Sequence, residues 1–115
     1  MKYEESNTQI ECIYWFDLAY PKKLRYAIPN GGFRNAIEAA RMKREGILSG
    51  IPDICIPESN KSFNGLYIEM KSKKGKLRPN QIEIMARLQK NGYCVQTCYN
   101  FDEFKETVDK YFKLE

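Results

Sequence analysis

With 115 residues, 43% hydrophobic and 30% charged, the chain has the length and composition of one domain around one core, expected to span 1–115. Its 19 basic and 15 acidic residues leave a net charge of +4, and it has no histidine, which excludes Ser-His-Asp, Cys-His and histidine general-base chemistry within the chain. No apolar run approaches the ~20 residues of a membrane span, Met1 to Glu5 lack the apolar stretch of a secretory signal, and a cytoplasmic protein is expected.

In chain order, Glu5 to Leu18 carries Ile10, Ile13, Tyr14 and Phe16 to Leu18 at mixed helical spacing and predicts a helix that Pro21 ends. Leu24 to Ile28 predicts a short strand, and Pro29-Asn30-Gly31-Gly32 a turn. Asn35 to Arg44, rich in alanine and charge, predicts a second helix closed by Glu45-Gly46. Gly50 introduces two central strands, Ile51 to Ile56 and Leu66 to Lys71, joined by a polar loop. Pro79 suits the first turn of a third helix, with Ile82, Met85, Leu88 and Gln89 at helical spacing and Asn91-Gly92 as its stop. Tyr93 to Tyr99 alternates as a strand. Asp102 opens a last amphipathic helix with Phe104, Val108, Tyr111 and Phe112 inward. This order predicts an α/β domain with a mixed sheet flanked by helices. The four cysteines form no C-x-x-C pair. Without histidine they predict no structural zinc, and Cys12, Cys55 and Cys94 read as small buried hydrophobes.

The informative stretch is Ile51-Pro52-Asp53, followed sixteen residues after Asp53 by Glu69-Met70-Lys71. If the two central strands pair antiparallel with Asp53 opposite Glu69, Ile54 falls opposite Ile68 and Ile56 opposite Leu66. One face is then wholly apolar, and the other gathers Asp53, Cys55, Tyr67 and Glu69, with Lys71 one step further. A slip of one residue scrambles both faces. Two bare carboxylates ~4 Å apart repel by about 4 kcal/mol at an effective dielectric near 20. A divalent cation reverses that sign, so the pattern predicts an Mg²⁺ site suited to metal-assisted hydrolysis of a phosphodiester. From Lys71 to Arg78 the chain carries five cations and no acid. A solvated loop is the ordinary meaning of such a run. Directly after Glu69 and Lys71 it reads instead as a phosphate-contacting patch, with Arg34, Lys73, Lys74 and Lys76 as candidates for backbone contacts and Asn30 to Gly32 as a place of close approach.

These residues resemble the PD-(D/E)XK nuclease superfamily, and within it the virus-type replication-repair nuclease (VRR-NUC) family. The resemblance covers nearly the whole chain: Pro29 to Gly32, Gly46, Gly50 to Asp53, Tyr67 to Ser72, Gln81, Leu88 and Gly92-Tyr93. It implies a restriction-endonuclease-like fold and DNA cleavage dependent on Mg²⁺ or Mn²⁺, with no small-molecule cofactor. By the family pattern Asp53, Glu69 and the backbone carbonyl of Met70 bind metal, Lys71 positions or polarises the attacking water, and Gln81 lies near the metal. The family also uses a glutamate on the first helix. Glu5 and Glu11 are the candidates, and Glu5-x-x-x-Gln9 matches the family spacing. Stand-alone viral members resemble homodimeric, structure-specific enzymes similar to Holliday-junction resolvases, which implies branched DNA and a second copy of the chain as partners. A non-catalytic nucleic-acid-binding module on the same fold and a sequence-specific restriction enzyme are the rival readings.

Overall fold

The computed structural model describes residues 3–29 and 35–114. Four helices and four strands follow in the order α1 (Tyr3–Ala19), β1 (Tyr26–Ala27), α2 (Ala36–Arg44), β2 (Ile54–Ile56), β3 (Leu66–Met70), α3 (Pro79–Lys90), β4 (Cys94–Cys98) and α4 (Phe101–Phe112). The strands lie in the order β1-β2-β3-β4. The first two pairings are antiparallel and the last is parallel, with α3 as the crossover. The sheet is mixed, as expected.

The central register is the one the alternation demands: Ile54 pairs with Ile68, Cys55 with Tyr67 and Ile56 with Leu66. Ile54, Ile56, Leu66 and Ile68 are completely buried and form one cluster with Cys12 and Phe16 of α1 and Phe104, Val108, Tyr111 and Phe112 of α4. By alternation Asp53, Cys55, Tyr67 and Glu69 face the other way. Ile84 and Met85 of α3 are buried but lie outside that cluster, so α3 covers this second face.

Several elements differ from expectation for identifiable reasons. Strand β1 has only two paired residues because Glu58 captures the Leu24 N–H at 2.8 Å, although Ile28 N–H still donates to Asp53 O at 2.8 Å. Strand β2 begins at Ile54 rather than Ile51, since Gly50 has φ +94° and Pro52 has no N–H to contribute. Helix α4 starts at Phe101, because Asn100 rather than Asp102 is the cap, its Oδ1 accepting from Glu103 N at 2.8 Å. Helix α1 carries more apolar residues than one face can hide. Cys12 and Phe16 go inward, while Ile10, Tyr14 and Leu18, also spaced by four, remain 65–70% exposed. In α3 Ile84, not Ile82, faces the sheet. Cys98 is fully buried, and Cys94, expected inside, is half-buried beside a groove. Helix α2 buries none of its residues, and the segments flanking it, Ile28-Pro29 and Ser49-Gly50, line a cavity at the sheet.

Candidate active site

Two neighbouring strands bring two acids and a lysine to one place. Asp53 stands at the start of β2, Glu69 near the end of β3, and Lys71 just beyond it, on the sheet face that α3 covers. Asp53 is 7% exposed and Glu69 3%. The Asp53 carboxylate turns toward β3, where its Oδ2 accepts the Met70 N–H at 2.8 Å. Lys71 Nζ lies 3.4 Å from Glu69 Oε2.

Helix α3 supplies the fourth group because Pro79 starts it immediately beside the sheet. Gln81, in its first turn, is buried and held at both ends of its amide. Its Oε1 accepts from Arg78 N at 2.8 Å, and its Nε2 donates to Glu69 Oε2 at 3.1 Å. The first bond is one half of a capping box, so the element that terminates the helix also aims the amide at the acid.

These side chains line a cavity of about 240 Å³ that also takes in Glu5, Ser49, Gly50, Arg78 and Asn80. Glu5 therefore joins the acids, and Glu11 is exposed and does not line the cavity. A larger cavity, about 410 Å³ between β4 and α4, holds no pair of buried acids.

The electrostatics follow from the packing. Burial, then the neighbouring Asp53 charge, pushes the Glu69 carboxyl up to about 7 against the pull of Lys71. Burial also raises Asp53, with Glu5 adding to the rise and the Met70 N–H and Lys71 opposing it. Glu69 Oε2 is occupied by Gln81 and Lys71, whereas the buried Oε1 has no hydrogen-bond partner. A buried carboxylate oxygen left bare beside a second carboxylate is the environment a hard cation satisfies. Mg²⁺ keeps several of its own waters and needs only one or two protein carboxylates. Among the described residues no three Asp, Glu, Cys or His side chains converge closely enough to cage an ion by themselves. The donor set present fits a partly hydrated Mg²⁺ or Mn²⁺.

The structure thus gathers Glu5, Asp53, Glu69, Met70, Lys71 and Gln81. Lys73, Lys74 and Lys76 are exposed on the connection between β3 and α3, bracketed by the cavity-lining Lys71 and Arg78. Asn30 and Arg34 lie outside the described residues. Sequence reasoning counted Arg78 in the basic run without placing it at the cavity, and missed the contact behind the cavity, where Asn80 Nδ2 donates to Ser49 Oγ at 3.0 Å. It also gave no sign that a Cβ on Gly50 would sit 3.0 Å from Asn80 O. The Gly50 in the G-I-P-D stretch was the available signal, since a glycine before a Pro-Asp marks a backbone needing positive φ or close approach.

The chain matches the family model of the VRR-NUC domain over residues 3–102. A solved structure described as a VRR_NUC domain protein is similar to it at a TM-score of 0.80 and 27% identity, covering 96% of this chain and 88% of that one. No curated protein matches.

Proposed function

The chain belongs to the VRR-NUC domain family, and from that premise we propose that it is a metal-dependent endonuclease that hydrolyses phosphodiester bonds in branched DNA as a homodimer. The observation that carries this reading is the buried pair Asp53 and Glu69, with Lys71 and Gln81 on Glu69 Oε2 and nothing on Oε1.

Asp53, Glu69 and the backbone carbonyl of Met70 would hold Mg²⁺ or Mn²⁺, which supplies a water nucleophile at neutral pH and offsets charge at the phosphorus. Lys71 donates to the attacking water or to a phosphate oxygen. Gln81 fixes the Glu69 carboxylate so that Oε1 stays turned away from its two existing partners. Glu5 adds a third acid at the cavity wall. Two such sites related by a two-fold axis suit symmetric cleavage of two strands.

The experiment is incubation of the protein with junctions, flaps, forks and linear duplex in Mg²⁺ or in EDTA. Mg²⁺-dependent nicking that favours branched substrates is expected. Binding without metal-dependent nicking would make the chain a DNA-binding module. Discrete fragments from linear duplex would make it a restriction-type enzyme.

The exposed Lys73, Lys74 and Lys76 are placed to contact phosphates. Replacing Lys73 and Lys74 by alanine is expected to weaken DNA binding and to reduce the slope of log K against log salt by about 2. The pair sits outside the cavity, so turnover at saturating DNA stays near wild type. A salt slope identical to wild type would remove this loop from the interface.

A further inference from the structure

Among the described residues, two cations line the cavity that holds Asp53 and Glu69, namely Lys71 and Arg78. They differ in what they already hold. Lys71 is committed, its Nζ 3.4 Å from Glu69 Oε2. The Arg78 guanidinium has no acid or other hydrogen-bond partner among the described residues. Arg78 is also exposed where Asp53 and Glu69 are buried, so it stands at the mouth of the cavity rather than on its floor.

Helix α3 has no need of an arginine at this position. Arg78 is its N-cap, where a side-chain oxygen ordinarily accepts a hydrogen bond from the first turn. A guanidinium has no acceptor to offer. Its neighbours take over the capping: Asn80 Oδ1 accepts from Gln81 N at 3.0 Å, and Gln81 Oε1 accepts from Arg78 N at 2.8 Å. The backbone of Arg78 is nevertheless held firmly. Pro79 confines the residue before it to extended conformations, and Arg78 has φ −85° and ψ 157°. The bond to Gln81 ties that backbone to the same amide that holds Glu69 Oε2. An unpaired guanidinium is thus rooted in a set relation to the acid pair.

We propose that Arg78 receives the phosphate to be cut, its guanidinium donating to the non-bridging oxygens. The proposal rests on the nuclease reading above and adds which residue meets the reacting group. The planar fork of an arginine matches two oxygens of one phosphate. The charges agree. Glu5, Asp53 and Glu69 are the acids of the cavity. When they are ionised, a divalent cation and Lys71 together cancel them, and the single negative charge of a phosphodiester is left for Arg78. With the phosphate oxygens held there, Lys71 is free to act on the water. Lys73, Lys74 and Lys76 do not line the cavity, and their part is confined to phosphates elsewhere along the strand.

The test is steady-state cleavage by Arg78→Gln and Arg78→Lys beside wild type. Arg78→Gln is expected to lower kcat by about 30-fold and to change KM by no more than about threefold, less than the loss of a fully enclosed donor because Arg78 is exposed. Arg78→Lys keeps the charge without the fork and should fall between the two. Circular dichroism and the rise in melting temperature on adding Mg²⁺ should match wild type in both variants, since neither change touches the acids. A kcat for Arg78→Gln within about threefold of wild type would overturn the proposal. So would a loss confined to KM with the salt slope of binding reduced by about 1, which would make Arg78 one more strand contact like the loop lysines. A kcat loss accompanied by a lost Mg²⁺ response would also overturn it, because Arg78 would then act through Gln81 and Glu69. A wild type without Mg²⁺-dependent cleavage would remove the nuclease reading and this assignment together, whereas the other outcomes leave that reading standing.

Discussion

Glu69→Gln is expected to lower DNA cleavage by on the order of 10³-fold or more, because it removes one of the two carboxylate charges proposed to hold the metal. DNA binding through the exposed lysines survives. The same change should make the metal-free protein more stable at pH 8. In the folded protein Glu69 titrates at about 7, and its ordinary value is 4.5. Between those values the folded chain holds a proton that the unfolded chain has lost. Wild-type stability therefore falls as pH rises from about 4.5 through about 7, and the full cost is present above 7. That cost is at most on the order of 3 kcal/mol. Glutamine does not titrate, and its carbonyl can still accept from Gln81. Melting curves in EDTA at pH 5 and pH 8 should show the variant overtaking wild type as pH rises. Addition of Mg²⁺ should stabilise wild type at pH 8 far more than the variant. Unchanged cleavage would exclude Glu69 from the chemistry. A variant less stable than wild type at pH 8 would show that the charge is not left uncompensated.

Gly50→Ala is the second large effect, and it acts from behind the cavity. Gly50 has φ +94°, and a Cβ there would meet the Asn80 carbonyl oxygen at 3.0 Å and its carbon at 3.1 Å. Those are backbone atoms in the first turn of α3 and cannot swing aside. Strained φ and the clash together should cost about 2–3 kcal/mol. Relief by pushing α3 outward would draw Gln81 off Glu69, and cleavage should fall by about tenfold or more. Gly46 is the internal control. Its φ is +108°, but a Cβ there meets nothing within 4 Å. Gly46→Ala should lose stability from backbone strain and keep its cleavage rate. Equal cleavage rates in the two variants would show that the Gly50–Asn80 contact does not position Gln81.

The register of β2 and β3 was legible because period-two alternation admits one solution that buries four aliphatic residues together. Asp53, Glu69 and Lys71 came with it. Gln81 was reached through family resemblance alone, since a glutamine in a helix has no distinctive pattern. What could not be read depends on how segments meet rather than on how residues are spaced. The approach of Gly50 to Asn80, the reach of Gln81 to Glu69 and the choice of Ile84 over Ile82 are all decided by where α3 lands on the sheet. Helix α1 was ambiguous for another reason. Ile10, Tyr14 and Leu18 have the same spacing by four as the buried Cys12 and Phe16, and only the packed sheet distinguishes the two stripes. Glu5 was preferred to Glu11 on family spacing, and its place at the cavity depends on how α1 meets the sheet, which no periodicity encodes.

Helix α2 stands apart from all of this. It buries none of its residues, yet both of its attachments form walls of the cavity that holds Asp53 and Glu69. An excursion anchored in that way can change in length or composition without unsettling the folded body. The helix itself tolerates exchange, whereas Ile28-Pro29 and Ser49-Gly50, where it joins the body, do not.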